Sequence, residues 1–498
     1  MAELVAIETG LGRLAGVDDG RVLRFSGVPY ACAGRWQAPR PTEPWSGVLD
    51  ASAPGPVAPQ SDAAAFPVPA EWVVPVGRPQ SEDCLSLNVV TPGVDGARPV
   101  LVWVHGGAFL GGGSSARLYD GAELATRGDV VVITINFRLG ALGLLAHPAL
   151  AETDEGAFAN WALLDIVQAL RWVSANAASF GGDPANVTLF GQSTGSEAIL
   201  AVLASRAADG LVRRVILQSG PPRARSLEDA AQIAERLAHH LGVGSVAALR
   251  DVPATAIVEA QRAVGPRVGL PFLPVIDGRL LDRRVEALLA EGAAAGIPVL
   301  AGTTRDEWRW WAPRDPAALE LDSDALRGRL AARFGAATDE IINVIRCERA
   351  AAGEPADASD VWFAVQTEAV FRVETIRMAD ALARHTPVHV YLFAWRSPAM
   401  DGWLGACHCL EIPFIFGTHH LRGLSAWTGT GPEIARLSES MMDSWLNFAR
   451  TGQPAGAESS WRTYDPGRRR TLIIAADQTV VEAPFDAERR VVDEHLPH

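Results

Sequence analysis

The chain contains no lysine; all 44 of its basic residues are arginine. Without a side-chain amine there is no Schiff-base chemistry, no Walker-type phosphate lysine and no Ser-Lys dyad. Genomic codon bias accounts for the absence and fits the abundance of Ala, Gly and Arg, but the chemical exclusion stands either way. Positive charge is also outweighed: a formal net charge of −14 and a pI near 5.3 argue against a nucleic-acid partner, whose phosphates need a basic face. Long hydrophobic runs are missing. The longest apolar strings, Val130–Ile135 and Ala141–Ala146, fall far short of a membrane span and are expected to form a buried strand and a loop. Met1-Ala2-Glu3-Leu4 has neither the basic region nor the apolar core of a secretion signal, so none is expected. Cysteine is scarce and odd in number, with five residues at Cys32, Cys84, Cys347, Cys407 and Cys409. That pattern predicts a reducing, cytoplasmic setting rather than a disulfide scaffold. No metal is expected at Cys407-His408-Cys409, because neighbours in extended backbone point to opposite sides and no second Cys/His cluster completes a tetrahedral set.

What is present is a chain of 498 residues, 48% hydrophobic, able to bury a large core. Val100–Val104 and Val130–Asn136 are continuous apolar runs of the kind found in strands buried on both faces. Trp161–Asn176 has apolar residues at helical spacing, with Asn160 as its expected N-cap. Short strands are predicted at Val187–Phe190, Val215–Leu217, Ile297–Ala301 and Val388–Ala394, and helices at Ser196–Ser205 and Phe371–Arg384. Strands alternating with helices predict an α/β fold: a mostly parallel central sheet covered on both faces. Without repeats or a clean linker, residues 1–498 are expected to form one domain, with a surface-loop insertion at about 51–80 and a helical cap-like region at about 312–356.

The chemistry gathers around Phe190-Gly191-Gln192-Ser193-Thr194-Gly195. Gly-x-Ser-x-Gly between a strand and a helix is the pattern of a serine lifted above the carboxyl end of a sheet. A serine hydroxyl is a weak nucleophile and needs a base, an orienter for that base and donors for the developing oxyanion. His105-Gly106-Gly107-Ala108-Phe109, directly after an expected strand, can aim backbone N–H groups at a substrate carbonyl, joined by the N–H of Thr194. Either Asp306 or Glu307, after the strand Ile297–Ala301, could orient a histidine. Of the 11 histidines, His408 precedes the apolar run Ile412–Phe416 and completes the order Ser, acid, His expected of an α/β-hydrolase.

At these residues the chain resembles the type-B carboxylesterases, the branch of the α/β-hydrolases that includes p-nitrobenzyl esterases and cholinesterases. The matches run almost end to end: Phe25–Ala31, Ser81–Val89, His105–Phe109, Asn136–Gly140, Asn160–Asp165, Phe180–Pro184 leading to Val187–Gly195, Pro274–Gly278, Gly302–Glu307, His408–Gly417 and Trp445–Gly452. The resemblance implies the α/β-hydrolase fold, Ser193 as nucleophile, Glu307 as acid, His408 as base and an oxyanion hole from the N–H groups of Gly107, Ala108 and Thr194. It further implies that Ser219 supports the triad from behind and that Arg138 and Asp165 form a structural salt bridge. Two letters depart from the family, which usually has Glu-Ser-Ala where this chain has Gln192-Ser193-Thr194. Gln192 keeps hydrogen bonding but not charge. The Thr194 side chain narrows the space beside the oxyanion, so slower or redirected catalysis is expected rather than none. Cys84 is expected to be a free thiol, because Ala58 stands where secreted members carry its disulfide partner.

The implied activity is hydrolysis of carboxylic esters through an acyl-enzyme, with no cofactor or metal, on a small-molecule ester, by a protein without a membrane partner that is a monomer or homodimer. Val268 and Leu270 are expected to line a roomy acyl pocket. Phe109, Trp308 and Trp403, with Trp310 and Trp311, are the aromatics expected near substrate, which would suit hydrophobic or aryl esters. Amide or carbamate hydrolysis by the same triad is the alternative. A non-catalytic, esterase-like binding protein fits less well, since serine, acid and histidine are all retained.

Overall fold

The computed structural model describes residues 3–61, 68–151, 156–264, 269–455 and 461–497. Thirteen strands form its main sheet: β1 (Glu3–Thr9), β2 (Gly12–Asp18), β3 (Leu23–Pro29), β4 (Val48–Asp50), β5 (Ser86–Thr91), β6 (Arg98–Val104), β7 (Val131–Ile135), β8 (Gly182–Gln192), β9 (Arg214–Gln218), β10 (Val299–Thr304), β11 (Val388–Phe393), β12 (Arg470–Ile474) and β13 (Gln478–Glu482). Their spatial order is β1-β2-β3-β5-β7-β6-β8-β9-β10-β11-β12-β13, with β4 beside β2. From β7 to β12 every pairing is parallel. Antiparallel strands close both flanks.

Side chains alternate across a strand, and both faces of this sheet are apolar. Val100, Val102 and Val104 share one buried cluster with Leu189, Leu217 and the helices α1 (Trp161–Asn176), α2 (Thr194–Ala204) and α3 (Val373–Leu382). The intervening Leu101 and Trp103 join Phe190, Ile216 and Leu300 on the opposite face, under Met441, Trp445 and Phe448 of α4 (Pro432–Thr451). This is the sandwich the apolar runs predict, and it presents the carboxyl ends of β6, β8 and β10 at one edge.

Local differences have physical causes. Asn160 precedes α1 in a left-handed conformation (φ 60°), and its side chain does not cap the helix. Its amide instead donates to the carbonyl of Val275 (2.8 Å) and its Oδ1 accepts from the Val275 N–H (2.8 Å), stitching a distant loop to the helix start. Gly140–Leu144, which overlaps the expected loop Ala141–Ala146, is a buried helical turn. A short run of small apolar residues carries no period that separates these outcomes. The stretch at about 51–80 is not all surface: Val57 and Ala58 are buried, and Ala70–Val73 is a helical turn that buries Trp72 and Val73; residues 62–67 lie outside the described residues. Helices Ser323–Phe334 and Thr338–Ala351 pack with Ala358–Thr367 and with Val491 and Val492 of the C-terminal helix Asp486–Asp493 in a cluster of their own. The Arg138–Asp165 salt bridge is present and buried, at 2.6 and 2.8 Å, fixing the loop after β7 to α1. Among the described residues no helix is long and apolar enough to cross a membrane.

Candidate active site

Ser193 sits between β8 and α2 with φ 55° and ψ −130°, a conformation that L-residues rarely adopt. Its N–H donates to the Gln218 carbonyl at the end of β9 (2.7 Å), and its carbonyl accepts from the Glu197 N–H one helical turn on (3.1 Å). The turn is possible because Gly195 lacks a side chain: a Cβ there would lie 2.1 Å from the carbonyl oxygen of Val104, the last residue of β6. Sequence spacing therefore reports a real steric need. Ser193 is partly exposed while both its neighbours are buried, and among the described residues its Oγ makes no hydrogen bond.

Across from it lies the turn after β6. Gly107 (φ 126°) is followed by two non-glycine residues in left-handed backbone, Ala108 (φ 59°) and Phe109 (φ 57°). A Cβ on Gly107 would fall 2.0 Å from the Gly111 carbonyl oxygen, so no other residue fits. Among the described residues the N–H groups of Gly107, Ala108 and Thr194 find no acceptor, whereas Phe109 N–H donates to Thr194 Oγ1 (3.2 Å). Unpaired backbone donors beside a serine are what a developing oxyanion requires.

The choice between Asp306 and Glu307 is decided by their partners. Glu307, fully buried, accepts His408 Nδ1–H at Oε2 (2.5 Å) and the Thr304 N–H at Oε1 (2.8 Å). Asp306 faces the other way: its Oδ2 accepts from Ala406 N–H and its own N–H donates to the Ala406 carbonyl, both at 2.9 Å. That reciprocal pair fastens the histidine loop to the acid turn. Behind it, Arg305 grips Glu488 of the C-terminal helix at 2.9 and 3.0 Å.

With Nδ1 donating to a carboxylate, His408 keeps its lone pair on Nε2. Gln192 Nε2 lies 3.0 Å from Nε2 and 3.4 Å from Nδ1, so the amide of the residue before the serine rests over the face of the imidazole rather than along the in-plane Nε2 lone pair. Glu197 in the first turn of α2 is buried, with Oε1 held by Arg223 Nη2 (2.6 Å). Burial pushes its carboxyl up, and the charges of Arg223 and His408 pull it back. Ser219 Oγ, buried, has no hydrogen-bond partner among the described residues, while its N–H donates to the Gly302 carbonyl (2.8 Å).

The aromatic wall differs in detail from expectation. Trp311 and Phe371 flank the imidazole of His408 at 4.9 and 5.1 Å between ring centroids, and they stack on one another at 5.6 Å. Trp308 packs behind Trp311 at 4.8 Å. Trp403 is directed elsewhere, edge-on to Phe363 (5.0 Å) and beneath the Arg309 guanidinium. Phe371 was not signalled by sequence, because it projects from a π-helical turn, Glu368–Arg372, whose wider pitch departs from the helical period. Phe109 is buried beneath the Gly-rich turn. Leu270 is half-buried with its carbonyl held by Arg225 (2.6 Å), and Val268 lies outside the described residues. Cys84 is a free, buried thiol, pushed up to about 12 by burial; Ala58 is buried in the same cluster.

One buried acid near the triad has a thermodynamic consequence. Glu411 receives Gln218 Nε2–H at 3.2 Å, and burial plus the Glu307 charge push its carboxyl up to about 8. A folded-state value above the ordinary 4.5 means the fold favours the protonated form, so its stabilisation is complete at low pH and drains away as pH rises through about 8. Between pH 6 and 8 this group alone should cost roughly 2 kcal/mol of stability. Urea titrations of wild type and Glu411→Gln at both pH values test it: the wild type should lose that increment and the variant should not.

The arrangement invites comparison with known proteins. A model of the carboxylesterase family matches residues 2–491. The chain belongs to the carboxylesterase family. It is 36% identical over 500 residues to the para-nitrobenzyl esterase of Bacillus subtilis, covering 97% of each chain. It is also 36% identical to the phenmedipham hydrolase of Pseudarthrobacter oxydans, covering 94% of each. Among solved structures, a carboxylesterase of Geobacillus stearothermophilus superposes with a TM-score of 0.86 at 37% identity, over 98% of this chain and 99% of that one. This carboxylesterase is thus an α/β-hydrolase, and a carboxylic ester hydrolase acting on small ester substrates.

Proposed function

We propose that this carboxylesterase works by two-step acyl transfer with Ser193, His408 and Glu307. Ser193 Oγ attacks an ester carbonyl as His408 Nε2 takes its proton, and Glu307 holds Nδ1–H and stabilises the imidazolium. The N–H groups of Gly107, Ala108 and Thr194 receive the oxyanion. His408 then protonates the departing alkoxide, and water repeats the sequence on the acyl-enzyme. Before the first step the Nε2 lone pair of His408 takes up the Ser193 hydroxyl, a contact of the kind that tightens once substrate binds. The observation that carries this reading is the 2.5 Å contact of Glu307 with His408, set beside a serine Oγ and three N–H groups that have no hydrogen-bond partner among the described residues.

The partly exposed Trp308 and Trp311, with Phe371 behind them, give the site an aromatic wall, which favours hydrophobic or aryl esters. Five free thiols, with Cys84 unpaired, support a reducing, cytoplasmic setting. The purified protein should hydrolyse p-nitrophenyl acetate and butyrate, and acid quenching during turnover should trap an acyl group on the peptide that contains Ser193. Aryl amides and carbamates assayed alongside should turn over far more slowly. An acyl adduct elsewhere, or none with turnover intact, would remove Ser193 from the mechanism.

A further inference from the structure

We propose that the Thr194 hydroxyl is a positioning group that holds the oxyanion-binding turn in its left-handed form, an inference that rests on the acyl-transfer reading above. Thr194 is the residue after the nucleophile, and its backbone N–H points into the site without an acceptor among the described residues. Its side-chain Oγ1 accepts the N–H of Phe109 at 3.2 Å in a buried contact. That bond joins two segments 85 residues apart in sequence: the serine turn and the loop after β6.

The loop needs such a tie. Ala108 and Phe109 both have positive φ, at 59° and 57°, and neither is glycine. Non-glycine residues in this region persist only where surrounding contacts over-determine them. The other contacts act around the turn rather than across to the serine. Leu110 and Gly111 N–H both donate to the Gly107 carbonyl at 3.0 Å, and the Phe109 carbonyl accepts from Gly140 N–H at 2.6 Å. Thr194 Oγ1 therefore supplies the hydrogen bond that sets the turn's distance from the serine turn. Were it lost, Phe109 N–H would be buried without a partner, and the peptide could rotate toward ordinary backbone, carrying the Ala108 N–H away from the oxyanion. The threonine hydroxyl, which sequence alone marks as a crowding group, thus serves the oxyanion hole from behind.

Such a role acts in the transition state more than in substrate binding. Thr194→Val keeps the shape and the backbone N–H but removes the acceptor; Thr194→Ser keeps the acceptor. With p-nitrophenyl butyrate, and with active sites counted by stoichiometric phosphonate labelling, Thr194→Val should lower kcat about 10- to 100-fold with KM changed less than about threefold. Thr194→Ser should restore kcat to within about threefold, since one hydroxyl replaces another. A trifluoromethyl ketone, whose hemiketal oxyanion occupies the same hole, should bind Thr194→Val more weakly by a factor similar to the loss in kcat/KM. If Thr194→Val keeps wild-type kcat per labelled site, or if Thr194→Ser falls as far as Thr194→Val, the proposal is overturned while the acyl-transfer reading stands. If the wild type and Ser193→Ala hydrolyse the ester equally, the acyl-transfer reading itself falls.

Discussion

Ser193→Ala is expected to lower kcat on p-nitrophenyl esters by about 10⁶-fold, to a residue supplied by the oxyanion donors and substrate binding alone. The size follows from the arrangement. His408 and Glu307 exist in this scheme only to make and manage the serine alkoxide, so removing Oγ cancels all three at once. The protein itself should be unharmed. Alanine keeps the Cβ, so the strain of φ 55° at this position is unchanged, and the Oγ that disappears makes no hydrogen bond among the described residues. The helix α2 starts from the Ser193 carbonyl, which accepts the Glu197 N–H and is also retained. Thermal unfolding should therefore stay within about 1 °C of wild type, the shift that about 1 kcal/mol produces in a domain of this size. KM should change little, since Oγ contributes to bond making rather than to ground-state affinity. A variant that retains more than about one-thousandth of wild-type kcat would exclude Ser193 as the nucleophile.

Much of this site is legible in sequence because its steric demands are severe. Gly195 and Gly107 stand where a methyl group would strike a carbonyl oxygen, so the glycine spacing records the backbone path directly. The parallel strands are legible because burial on both faces removes every polar residue from runs such as Val100–Val104. Side-chain direction is another matter. Nothing in the string Gln192-Ser193-Thr194 says that one neighbour's amide rests against the His408 imidazole while the other's hydroxyl reaches Phe109. Trp311 and Trp403 look alike as aromatics near the acid and base, yet Trp311 meets the imidazole and Trp403 packs with Phe363 and Arg309. The 3₁₀ winding of Glu307–Arg314 sets Trp308 and Trp311, three residues apart, on one side, whereas Trp403 sits in a separate turn. Asn160 shows the same limit, having a good N-cap residue type but a tertiary partner that outcompetes the helix.

Glu307→Gln is expected to cost about 10⁴-fold in kcat, despite being the closest available isostere. The surrounding donors dictate how the new amide must lie. Thr304 N–H points at Oε1 from 2.8 Å, so the glutamine carbonyl is required there and its NH₂ is turned toward His408 Nδ1. Two donors cannot face each other, so the imidazole proton leaves Nδ1 and settles on Nε2. The Gln192 amide, which lies over the ring at 3.0 Å from Nε2 and 3.4 Å from Nδ1, is compatible with either tautomer. The adjustment is cheap, because it moves one proton within the imidazole ring. The variant should therefore fold and bind substrate normally while its histidine is locked in a tautomer that cannot take the serine proton. Nitrogen NMR of imidazole-labelled protein reads the tautomer directly, and kcat reads its effect; KM should move by less than about threefold. A proton still on Nδ1 in Glu307→Gln, or a fall in kcat of less than about tenfold, would mean that Glu307 does not set the tautomer of the base.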